Sequence, residues 1–113
     1  MRALKFMFIS LFVFNPLIFS SSIFAEVEEY TITIKDHRFT PEELMIPANQ
    51  KVKLIIQNDD PTAEEFESDD LHREKIVTGN RKITIVIGPL KPGQYKYSGE
   101  FHKDTAQGVI IVQ

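Results

Sequence analysis

Four side chains in this chain could gather a metal ion: Glu65, Glu67, Glu100 and His102. If Glu65 to Ser68 is extended, successive side chains point to opposite sides, so burying Phe66 turns Glu65 and Glu67 the same way. Glu100 and His102 straddle Phe101 at the same spacing and would also share a face. Up to three carboxylates and one imidazole suit Fe(II), Fe(III), Mn(II) or Cu(II). Affinity order alone favours Cu(II), so residue types do not choose between copper and iron. The plainer reading makes Glu65 and Glu67 the solvated face of an outer strand and His102 a loop histidine. A shift of one residue in register would bring Glu64 into the set in place of Glu65. His37 and His72 read as surface residues, and Asp69-Asp70 lacks the spaced oxygens and glycine of a calcium loop.

Other chemistry is excluded by what the sequence lacks. With no cysteine there is no thiolate nucleophile, Cys-rich zinc site or iron–sulfur centre. The sequence has no glycine-rich phosphate cradle, nucleophile elbow or zinc-protease histidine pair, and its three histidines are scattered. All sixteen acidic residues but only eleven of the thirteen basic ones follow residue 25, which gives that part a formal charge of −5. Such a balance argues against nucleic acid or an anionic membrane as partner.

The elements that must position these side chains begin after residue 25. Arg2 and Lys5 precede an apolar stretch from Phe6 to Phe19, and Ser20 to Ala25 ends in a small residue. This order reads as a secretory signal peptide over residues 1–25, with a mature domain over 26–113 and no membrane span within it. The competing reading is an uncleaved anchor, because Pro16 interrupts the apolar stretch and Ile23 is not small. Tyr30, Ile32 and Ile34 then alternate with Thr31, Thr33 and Lys35, as a half-buried strand does. Further strands are predicted near 43–46, 51–57, 65–68, 74–78, 82–87, 94–98 and 108–112, separated by turns rich in Pro, Gly, Asn and Asp. Asp69 to Arg73 could form one helical turn. Seven or eight short strands at this spacing predict an all-β, antiparallel Greek-key sandwich.

Three stretches carry a family resemblance. Phe39-Thr40-Pro41 with Leu44 to Val52, then Asn58-Asp59-Asp60, resemble the first half of a cupredoxin; Gly93 to Tyr97, the loop to His102, and Gly108 to Val112 resemble the second. The resemblance implies a cupredoxin-like sandwich in which the segments of Glu65–Glu67 and Glu100–His102 meet at one end. It also implies where copper ligands would stand. The cysteine, histidine and methionine positions of the last loop hold Gly99, His102 and Ala106, and the first histidine position falls on Glu64 or Glu65. A blue-copper centre needs a thiolate and two imidazoles, so this chain keeps the scaffold without that centre.

A narrower likeness, through Glu65 to Ser68, Arg73 to Lys75, Gly88 to Gly93, Gly99 to His102 and Thr105 to Gly108, is to small periplasmic cupredoxin-like proteins of bacterial iron-uptake systems, of the EfeO type. It implies a periplasmic protein that handles copper or iron beside an inner-membrane iron permease or a periplasmic iron-binding protein. Because oxygen ligands stabilise Fe(III) over Fe(II), assistance to Fe(II) oxidation would extend the role if a partner takes the electron. The alternative is a metal-free interaction module that docks on a permease or another periplasmic component.

Overall fold

The computed structural model describes residues 26–113; the predicted signal peptide lies outside the described residues. Nine strands form: β1 (Glu28–Lys35), β2 (Arg38–Thr40), β3 (Glu43–Ile46), β4 (Val52–Asn58), β5 (Glu64–Ser68), β6 (Arg73–Val77), β7 (Lys82–Ile87), β8 (Gly93–Gly99) and β9 (Gln107–Val112). They lie in a four-stranded sheet ordered β2-β1-β4-β7 and a five-stranded sheet ordered β3-β9-β8-β5-β6. The predicted all-β sandwich is thus the observed class. Its strand directions are mixed: β1 runs parallel to β4, and β3 parallel to β9. Where a single helical turn had been an option, Asp69 to His72 form a turn between β5 and β6.

Alternation explains how the sheets close on each other. Along β4, Val52, Leu54, Ile56 and Asn58 are buried while the residues between them are half-buried. Ile32, Ile34, Val52, Leu54, Ile56, Ile85 and Ile87 face inward from one sheet; Leu44, Ile46, Phe66, Val77, Tyr97, Ile110 and Val112 face them from the other. Phe39 bridges the layers edge-on, with ring centroids 5.0 Å from Tyr97 and 6.2 Å from Phe66. Edge-to-face packing suits the ring quadrupoles.

Two connections matter for the site. β1 and β2 are joined by Asp36 and His37, with φ of 53° and 59°. Left-handed values at both central residues define a type I′ turn, whose twist matches the strands it joins. The β4–β5 loop braces that turn. Asp60, 4% exposed, accepts hydrogen bonds from the backbone N–H of Asp36 at 2.7 Å and of His37 at 2.9 Å. Asn58 fixes the loop in turn, donating from Nδ2 to the carbonyls of Thr62 and Val77 and accepting at Oδ1 from the Asp60 N–H.

Candidate metal site

Strand β5 lies between β8 and β6 in the middle of its end of the sheet, and its five residues alternate strictly. Glu64, Phe66 and Ser68 are buried; Glu65 and Glu67 are half-buried on the outer face. Phe66 decides this register, because an aromatic ring with no exposed surface can only sit inward. The two carboxylates therefore point the same way, as alternation requires.

The remaining predicted ligands separate. β6 brings Glu74 directly opposite Glu67, and carboxylate oxygens of Glu65, Glu67 and Glu74 lie within 4.8 Å of one another. They are the only three such donors that close among the described residues. Glu100, on the single 3-10 turn Glu100–His102 that follows β8, sits beside Glu67 and raises its pKa. Its own carboxylate accepts from Ser98 Oγ at 2.9 Å and pairs with Lys103 at 3.2 Å. His102 is not with them. Its Nδ1 lies 2.6 Å from Oε2 of Glu64, on the inner side of β5. Met45, the soft thioether of β3, is exposed and three strands from β5.

The outer carboxylates strain one another. A hydrogen-bonded contact with Glu74, burial and the charge of Glu74 hold the Glu65 carboxyl above its ordinary range; burial and the charge of Glu100 do the same for Glu67. Glu100 is held below its ordinary range by the Ser98 hydroxyl and then by Lys103, against some desolvation. Like charges directly opposite on paired strands are destabilising. A raised folded-state pKa means stabilisation that is complete below the unfolded value and lost as pH rises through the folded one. The melting temperature is therefore expected to fall as pH rises from 4.5, the ordinary value for both groups, toward neutrality. Thermal melts across that window in metal-free buffer would show the fall in the native protein and its disappearance in Glu65→Gln/Glu67→Gln.

The inner cluster is built differently. Glu64, 1% exposed, accepts at Oε1 from the backbone N–H of Glu65 at 2.9 Å and of Phe101 at 2.8 Å, and at Oε2 from His102. The 3-10 turn places that imidazole, with Ala106 N–H donating to the His102 carbonyl at 2.8 Å and Gly99 N–H to the Ala106 carbonyl at 2.8 Å. His37 stacks on His102, ring centroids 3.6 Å apart and planes 12° from parallel. Sequence reasoning set His37 aside as a surface residue. The available signal was the left-handed turn at Asp36-His37, which returns the chain over the loop that holds His102.

Glu64, Gly99, His102 and Ala106 therefore meet at one end of the sandwich, in the positions where the sequence comparison set the four copper ligands. A Cβ on Gly99 would stand 2.7 Å from the Glu64 Cδ and 2.7 Å from the Ala106 Cβ. The donor set does not fit a type 1 copper ion. It has no thiolate, one imidazole where two are needed, and a carboxylate 2.6 Å from that imidazole, closer than two ligands of one ion normally approach.

This fold agrees with the comparisons. A family model described as a cupredoxin-like domain matches residues 6–112. The chain belongs to that cupredoxin-like domain family. It is 58% identical over 84 residues to the uncharacterized protein RP394 of Rickettsia prowazekii (strain Madrid E), covering 74% of this chain and 67% of that protein. Auracyanin A, a "blue" copper protein from Chloroflexus aurantiacus, superposes with a TM-score of 0.66 at 15% identity, over 78% of this chain and all of that one. The metal-binding domain of the Cu(I)-exporting P-type ATPase CopA of Streptococcus pneumoniae, solved with Cu(I), superposes at 0.67 with 13% identity, over 75% and 84% of the two chains. At these identities the likeness is one of fold. Among the described residues no helix is long and apolar enough to cross a membrane.

Proposed function

We propose that this protein is an exported, periplasmic cation-binding protein that serves bacterial iron uptake, holding iron or copper at the carboxylates on the outer face of β5 and β6. The observation that carries the reading is the closure of Glu65, Glu67 and Glu74 to within 4.8 Å. Sheet register enforces it: Glu67 and Glu74 are directly paired, and Glu65 is the diagonal neighbour of Glu74. Glu100 extends the set from the turn after β8, and a groove of about 450 Å³ lined by Glu67, Asp69, Asp70 and Glu100 gives solvent access. A cation at this point relieves the mutual repulsion of the carboxylates. An all-oxygen set prefers hard ions, so iron in either oxidation state suits it better than Cu(I). His102 supplies no ligand here. An exposed, shallow site of this kind suits capture and handover to a permease or a periplasmic iron-binding partner rather than permanent retention.

Calorimetric titration of the chelator-treated protein with Fe(II) under anaerobic conditions, and with Mn(II) in parallel, tests this. One ion per chain is expected, weakened at least tenfold in Glu67→Gln/Glu74→Gln and unchanged in Phe101→Ala. Binding that is absent, or indifferent to the double substitution, would overturn the metal role and favour the interaction module.

A further inference from the structure

We propose that His37 and His102 form a second cation site, separate from the outer carboxylates, which takes a borderline divalent ion such as Cu(II), Zn(II) or Ni(II) through the two Nε2 atoms. The two imidazoles touch face to face with centroids 3.6 Å apart. Each turns Nδ1 toward a buried carboxylate: His102 toward Glu64 at 2.6 Å, and His37 toward Asp60 at 3.5 Å. Histidines that ligate metals ordinarily have the other ring nitrogen held by a carboxylate or carbonyl, which fixes the tautomer and makes the free nitrogen a better donor. His102 has that support in its 2.6 Å contact with Glu64, while the Nδ1 of His37 faces Asp60 at 3.5 Å without a hydrogen bond. The side chains of Glu64 and Asp60 are 2% and 6% exposed, while those of His102 and His37 are 30% and 43% exposed. Anchors are buried and donors reach solvent.

Charge points the same way. Each carboxylate is fixed by two backbone N–H groups, Glu65 and Phe101 for Glu64 and Asp36 and His37 for Asp60. Among the described residues neither has a lysine or arginine within ion-pair distance; a histidine is the partner of each. Neither Nε2 has a hydrogen-bond partner among these residues. A dication on the imidazole edges would lie beside two buried carboxylates that no lysine or arginine faces.

The backbone supplies an independent argument. His37 occupies a left-handed position of the type I′ turn, φ 59°, where glycine or asparagine is the residue the fold prefers. A bulky residue kept at such a position suggests a role for its side chain rather than for the turn. Nitrogen ligands sit about 2.0 to 2.1 Å from these ions, so two donors of one ion stand at most about 4 Å apart. The lone pairs of stacked rings lie in nearly parallel planes, so the pair must splay to converge them. His37, half exposed on a two-residue turn, is the ring free to do so.

Cu(II) added to the chelator-treated protein and followed by electron paramagnetic resonance tests this. One equivalent is expected to show hyperfine coupling to two imidazole nitrogens. His37→Gly and His102→Gln are each expected to weaken binding at least tenfold, and Glu67→Gln/Glu74→Gln to leave this spectrum unchanged. Glycine fits the turn, so His37→Gly is also expected to melt no lower than the native protein. Coupling to fewer than two imidazoles, retention of the spectrum in His37→Gly, its loss in the carboxylate variant, or a marked drop in the melting temperature of His37→Gly would each overturn the proposal. The outer-face site stands or falls on its own variants, so the two failures are distinguishable.

Discussion

Replacing Glu64 by alanine is expected to lower the unfolding free energy by about 3 kcal/mol, the lower end of the range for breaking a buried charged pair. Three donors lose their acceptor at once: the backbone N–H groups of Glu65 and Phe101, and Nδ1 of His102. The Phe101 N–H is left without its acceptor, and a buried unsatisfied donor costs about 1–3 kcal/mol. The imidazole is partly exposed and can rehydrate, which keeps the loss from reaching the upper end. Glu64→Gln keeps an acceptor for the backbone donors and is expected to cost about half as much. Urea unfolding of the three proteins at neutral pH measures both values. A loss below about 1 kcal/mol for alanine would mean that the 3-10 turn holds its place without the carboxylate.

Glu64→His combined with Gly99→Cys is expected to change the protein from one with no thiolate-to-copper absorption to one that takes up one equivalent of Cu(II) with that absorption intense. The two changes depend on each other. With Glu64 in place, a Cβ at residue 99 lies 2.7 Å from its Cδ and 2.9 Å from Oε2, so Gly99→Cys alone is overpacked and destabilised by roughly 1–3 kcal/mol. Replacing the carboxylate removes two of the three close contacts, while the third, 2.7 Å to the Ala106 Cβ, obliges the loop to shift; the pair then supplies the thiolate and second imidazole that, with His102, complete a trigonal set. Ala106 leaves the axial position open, which tunes such a centre without being required for it. Visible spectroscopy during copper titration decides the outcome. A colourless double variant that remains folded would show that these four positions do not superpose functionally on a copper centre.

The sandwich was legible because its strands are short and alternate: Tyr30-Thr31-Ile32-Thr33-Ile34 and Val52-Lys53-Leu54 state their inner faces directly. β2 escaped because three residues, Arg38–Thr40, are too few to show a period. The parallel pairings escaped for another reason. Side-chain alternation has the same period in both strand directions, so only tertiary context tells them apart. At the site, burying Phe66 correctly sends Glu65 and Glu67 outward together, and the same step sends Glu64 inward. Glu74 was hidden because its place opposite Glu67 depends on the length of the Asp69–His72 turn. His102 was drawn to the wrong carboxylates because its 3-10 turn breaks the alternation that had been extended through Glu100 and Phe101.

The last strand to emerge in this chain, β9, lies inside its sheet, between β3 and β8. β3 pairs only with β9, and Glu43 meets Val109 across most of the domain's length. The five-stranded layer therefore cannot be completed while the final residues are missing, and a topology with such distant pairings folds slowly. For a chain proposed to leave the cytoplasm, that order of events is useful. In a chain exported as proposed, a sheet that waits for β9 keeps the polypeptide threadable until that strand has followed the others across.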